Sequence, residues 1–157
     1  MRFCCVLAVL GVASLAPAAE PAARSGTASG SFSAGGKTAK LAFAAVFTDQ
    51  KDDKKPLVLV LSDKEVPASA WKSGSDLSAY RREHPFMGVA FWLDAKNSVF
   101  RCDYYDGTSF PTSAFGLFDL KVDRAAGSLS GSAKSTQAAA KLREPVTLDV
   151  TFSAALK

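Results

Sequence analysis

The chain has 157 residues, 48% of them hydrophobic and 22% charged, with a formal charge of +4. That length suits one globular domain with a sizeable core, and that balance excludes a mostly disordered, collagen-like or coiled-coil chain. Eleven Phe stand against one His and three Cys, two of which are residues 4 and 5, so a multi-histidine metal site or a disulfide scaffold has little to draw on.

Met1 and Arg2 open a short cationic segment, Phe3 to Leu15 is almost wholly apolar, and Ala16-Pro17-Ala18 supplies small residues before a cut. Residues 1–18 therefore read as a secretory signal peptide, and the protein as exported, periplasmic or extracellular. The apolar run is shorter than the roughly 20 residues that cross a bilayer, so no transmembrane span is expected after cleavage. Cys4 and Cys5 leave with the signal, and Cys102 is the one thiol kept. A single thiol closes no internal disulfide, so the domain is expected to be held by its core and to be monomeric. Losing Arg2 takes the charge from +4 to +3, and Lys51, Lys54 and Lys55 are interleaved with Asp49, Asp52 and Asp53. Without a concentrated basic patch, nucleic acid is excluded as a partner.

Residues 19–28 are rich in Ala, Pro, Ser and Gly without hydrophobic period and read as a flexible tail, leaving 29–157 as a single β-rich domain. Ser31-Phe32-Ser33 runs into Gly35-Gly36, a hairpin dipeptide, and Lys37 to Phe47 forms the second arm. There Leu41, Phe43, Ala45 and Phe47 share one face by simple alternation, which points that face to the core. Leu57 to Leu61 is apolar on both faces, as for a strand covered on both sides, by a helix on one of them. Pro67 to Trp71 suggests a helical turn. Ser73 followed by Asp76 suggests a capping box opening a helix from Asp76 to Glu83 that Pro85 ends, with Arg81 and Arg82 on its solvated face.

Met87 to Asp94 alternates with Met87, Val89, Phe91 and Leu93 on one face, and Ala95-Lys96-Asn97 turns it into Ser98 to Tyr105. In that second arm Phe100, Cys102 and Tyr104 share a face, opposite Arg101 and Asp103. Ala114 to Val122, Gly127 to Ser132 and Val146 to Ala154 complete the set, the last with Val146, Leu148, Val150 and Phe152 inward. The expected fold class is all-β, mainly antiparallel: a small barrel-like meander or sandwich of about eight strands with one short helix. An outer-membrane barrel would need longer strands with a lipid-facing apolar band.

The signal peptide, Ser29-Gly30-Ser31-Phe32, the strand closing on Leu61-Ser62-Asp63, Gly127-Ser128-Leu129-Ser130-Gly131 and the terminal Val150-Thr151-Phe152-Ser153-Ala154 form a layout. It resembles that of a family of exported bacterial β-rich proteins with no assigned function. The resemblance spans most of the mature chain and implies an exported β-rich body, with no ligand, reaction or site residue to carry over.

No Gly-x-Ser-x-Gly elbow, phosphate loop, His-Glu-x-x-His or Cys-x-x-Cys is present, so no catalytic residue, metal site or cofactor is implied. Candidate ligand- or partner-binding residues are Trp71, Tyr80, Arg81, Arg82 and His84 around the helix, and Tyr104 and Tyr105, because aromatic plus arginine surfaces are enriched at contact hot spots. A hydrolase would have to be centred on His84, oriented by Asp103 or Asp106; the bland alternative is a histidine that caps a helix end. Asp103-Tyr104-Tyr105-Asp106 offers oxygens for calcium or an aromatic shelf for a sugar, against the simpler reading of a solvated strand end. Cys102 reads as a buried small hydrophobe. The expected function is a non-enzymatic binding or envelope-associated module for a small apolar ligand or a protein. A periplasmic inhibitor or accessory protein acting on a protein partner is the first alternative, and the hydrolase the second.

Overall fold

The computed structural model describes residues 26–68, 71–108 and 110–156. The expected signal peptide and residues 19–25 of the expected tail lie outside the described residues. The strands are β1 (Gly26–Ala34), β2 (Lys37–Thr48), β3 (Leu57–Ser62), β4 (Met87–Leu93), β5 (Val99–Asp106), β6 (Thr112–Ser113), β7 (Phe118–Ala125), β8 (Ser128–Ser135) and β9 (Thr147–Ala155). The helices are α1 (Gly74–Glu83) and the short α2 (Gln137–Ala140). β1 takes in Gly26, Thr27 and Ala28, which composition alone assigns to the tail, because their backbone pairs with β9, Thr27 opposite Ser153.

All nine strands belong to one antiparallel sheet in the order β6-β5-β4-β3-β2-β1-β9-β8-β7. The chain meanders from β1 out to β6, crosses to the far margin and returns to pair β9 with β1. The crossing uses only residues 114–117. So short a link reaches at most roughly 17 Å, which forces the two margins toward each other and curls the sheet into a barrel-like body. The all-β barrel-like expectation is thereby met, with one more strand than expected and with α2 added.

The turn chemistry follows the sequence. Gly35 (φ 57°) and Gly36 (φ 70°) close the β1–β2 hairpin with two positive φ values, the geometry a two-residue loop needs to match strand twist. Gly30 and Gly131 serve a different purpose. A Cβ on Gly30 would lie 2.0 Å from the Asp149 carbonyl oxygen, and one on Gly131 2.0 Å from that of Lys121. Both mark places where a curled sheet brings backbone against backbone.

Two apolar clusters sit on opposite faces of the sheet. The inner one contains Phe32, Leu41, Leu59, Phe91, Leu129 and Phe152 among others. Phe32 from β1 meets Tyr104 of β5 at 6.0 Å and Phe118 of β7 at 6.4 Å, and Phe118 meets Phe91 of β4 at 6.4 Å. These rings span the barrel from wall to wall, so its interior is filled by side chains. β9 alternates as expected, with Leu148, Val150 and Phe152 inward.

The outer cluster lies beneath α1 and includes Phe47, Val58, Val60, Leu77, Ala90 and Trp92. β3 and β4 are therefore buried on both faces, and every residue of β4 is buried. The expected face of β2 is corrected here. Ala39 and Leu41 point inward, but so do Ala44 and Val46, while Ala45 and Phe47 join the outer cluster and Phe43 is only half-buried. A register shift against β1 between Thr27 and Gly30 breaks the alternation at this point, and one residue of slip exchanges the two faces.

Candidate functional site

α1 brings most of the candidate residues to one outer face of the barrel. Its start is held from a distance: the Gly74 N–H donates to Asp49 Oδ2 at 2.8 Å, and the Lys72 N–H donates to Asp76 Oδ2 at 2.7 Å. The bond from the Lys72 N–H is the main cause that holds the Asp76 carboxyl below its ordinary range, with desolvation opposing it. The expected capping box does not form, since the Ser73 side chain makes no cap hydrogen bond. The helix ends on His84, whose backbone N–H donates to the Tyr80 carbonyl at 2.8 Å.

On the flank of α1 toward β2, rings form a row: Phe47 to Trp71 at 5.5 Å, Trp71 to Tyr80 at 5.4 Å, and Tyr80 to His84 at 4.6 Å. Trp71 is buried, Tyr80 half-buried and His84 exposed. The buried end of the row forms one wall of a cleft of about 180 Å³ between Phe47 and Trp71, with Val46, Leu57 and Leu156 as apolar lining and Thr48 and Gln50 as polar rim.

The flank toward β5 has different chemistry. Arg81, expected on the solvated face, is 3% exposed, with its guanidinium 5.2 Å from the centre of the Tyr105 ring. Position 81 shares the core-facing side of α1 with Leu77, four residues earlier, and that geometry overrides the charge. Tyr105 is buried against Phe86 at 5.0 Å, and burial pushes its phenol far above the ordinary range. Arg101 stacks over Trp92 at 4.2 Å and gives both its bonds to one oxygen of the buried Asp103, 3.1 Å from Nε and 2.6 Å from Nη2.

Thus Trp71, Tyr80 and His84 come together, Arg81 and Tyr105 come together across the helix, and Arg82 is exposed. Tyr104 is separated from all of them, because it faces inward onto Phe32. His84 has no carboxylate at ion-pair distance among the described residues. Asp103 is engaged by Arg101, and Asp106 accepts the Thr108 N–H at 2.9 Å. Burial opposes ionisation of Asp106, and the bonds from Thr108 outweigh it, holding its carboxyl below the usual range. Among the described residues no cluster of His, Cys, Asp and Glu has the makings of a metal site.

The expected face of β5 is corrected at Phe100, which is 44% exposed rather than inward. The β4–β5 ladder shifts register between Trp92 and Leu93, next to it. Phe110 and Phe115 are 79% and 66% exposed on either side of β6. Phe115 falls within the expected strand Ala114 to Val122, which is corrected here: residues 114–117 form the link between β6 and β7, and the strand begins at Phe118. Cys102 is buried as expected, and burial first, then the neighbouring Asp103, raises its thiol well above the ordinary value. Compared with known proteins, the chain matches no family model, no curated protein and no solved structure.

Proposed function

We propose that this chain is an exported, non-enzymatic binding module that takes its ligand or partner on the outside of the barrel, at the face carrying α1, and not within it. The observation that carries this reading is the filled interior, where Phe32, Phe91 and Phe118 span the space that a carrier of the barrel type leaves for its ligand. The cleft at Trp71 sets an indole and the Phe47 ring beside Thr48 and Gln50, so it offers a small ligand or side chain both ring contact and hydrogen bonds. Export rests on the signal-like residues 1–18. Against the hydrolase reading stands His84, exposed, stacked on Tyr80 and with no carboxylate at ion-pair distance among the described residues.

Benzyl alcohol, an apolar ring with one hydroxyl, is a suitable probe of the cleft. On titration, the Trp71 indole N–H resonance is expected to move saturably, and Trp71→Ala to remove the response. Movement of the inward Leu148 and Val150 methyl groups instead would return the ligand to the barrel interior. An ester turnover lost in His84→Ala would overturn the non-enzymatic reading.

A further inference from the structure

We propose that the seam between α1 and β5 is a binding site for a monocarboxylate with an apolar body, anchored by Arg81. Its guanidinium is enclosed, and among the described residues Nε and Nη1 meet no hydrogen-bond acceptor. Neither the Arg101–Asp103 nor the Lys134–Asp149 ion pair takes in Arg81, and its Nε and Nη1 stand without a counter-ion among the described residues. Stacking over Tyr105 recovers only part of what burying a cation costs, and an enclosed guanidinium with unmet donors is matched best by an oxyanion.

Local charge selects the class of ligand. The charges that act on Tyr105 include Arg81, Arg101 and Asp103, the last 5% exposed and already held by Arg101. Among these three groups one positive charge is in excess. A single carboxylate balances it, whereas a phosphate dianion would overshoot beside Asp103. Tyr105 beside Arg81, and Phe86 packed on Tyr105 at 5.0 Å, give the seam an apolar character that suits an aromatic or aliphatic group attached to that carboxylate. Tyr105, kept protonated by its burial, remains a donor to it. An arginine stem turns its head toward an entering ligand by rotamer change, without unfolding of the helix.

The site lies on the opposite flank of α1 from the cleft at Trp71 and does not depend on it. A free organic acid and the C-terminus of a peptide share the required chemistry. Sodium benzoate is titrated at constant ionic strength while the Arg81 Nε resonance is followed, with benzamide and inorganic phosphate as controls. A Phe-terminated tripeptide and its amide form the second arm. A saturable shift with benzoate or the free peptide, absent with the amides and at least tenfold weaker with phosphate, is expected, and the stronger arm names the source. Arg81→Met is expected to abolish the response and Arg81→Lys to weaken it about tenfold. No saturable shift in the native chain, an equal response to phosphate, or an unchanged response in Arg81→Met would overturn the proposal. Should Arg81→Met fail to fold, the amide controls on the native chain decide it.

Discussion

Asp49 and Gly74 are 25 residues apart, yet the Asp49 carboxylate accepts the first helical N–H of α1 at 2.8 Å. The loop after β2 thus caps the helix that covers β2, tying the outer layer to the sheet. Asp49→Ala should cost about 1–2 kcal/mol, the usual loss when a helix start is uncapped, with Asp49→Asn costing less. Urea unfolding midpoints of the three proteins measure this, and an unchanged midpoint for Asp49→Ala would show the bond to be dispensable.

Phe32 holds the barrel together from its centre, being fully buried and in ring contact with β5 and β7. Truncation to Ala should destabilise by about 3–5 kcal/mol through lost transfer energy and the cavity left behind. If calorimetry shows Phe32→Ala melting within a degree of the parent, the interior is not packed as described.

Gly131→Ala is expected to cost about 3 kcal/mol or more. Its Cβ would meet the Lys121 carbonyl oxygen at 2.0 Å and the Phe152 ring at 3.1 Å, and the first contact is backbone on both sides. Gly127→Ala provides the contrast, because there a Cβ meets nothing within 4 Å and only its φ of +78° is unfavourable. Comparing their denaturation curves separates steric crowding from conformational strain.

Alkali should unfold this protein through two groups of β5, Cys102 in the inner cluster and Tyr105 in the outer one. Burial raises both the Cys102 thiol and the Tyr105 phenol, so the native state keeps protons that the unfolded chain releases from about pH 8.5 and about pH 10. Stability is therefore complete below about pH 8.5 and falls as pH rises, each group adding a slope of about 1.4 kcal/mol per unit. Cys102→Ala and Tyr105→Phe should each flatten the decline between pH 8 and 11 when unfolding free energy is plotted against pH.

Phe110 and Phe115 protrude beside β6 and contribute little to the core. Replacing both by Ser should change the unfolding free energy by no more than about 1 kcal/mol in total. Solubility should rise, and light scattering at high concentration reports it.

Much of the sheet is legible in the residues alone. Leu57 to Leu61 is apolar on both faces, and β3 is sandwiched between the interior and α1. The Gly35-Gly36 turn, the hairpin through Asn97 and the inward set of β9 also follow from local chemistry. The face of β2 beyond Leu41 does not, because its reversal depends on a bulge opposite β1 that alternation within one strand cannot reveal. Phe100 escaped for a similar reason.

Local patterning determined the strands other than the two-residue β6, the hairpin turns and the need for a helical cover, since each depends on neighbours in sequence. Tertiary structure decided that residues 114–117 bridge the margins of the sheet, that Arg81 is enclosed over Tyr105, and that the face of β5 bearing Tyr104 meets Phe32 inside the barrel. Those outcomes depend on which strands curl against which, a matter of contacts between residues far apart in the chain.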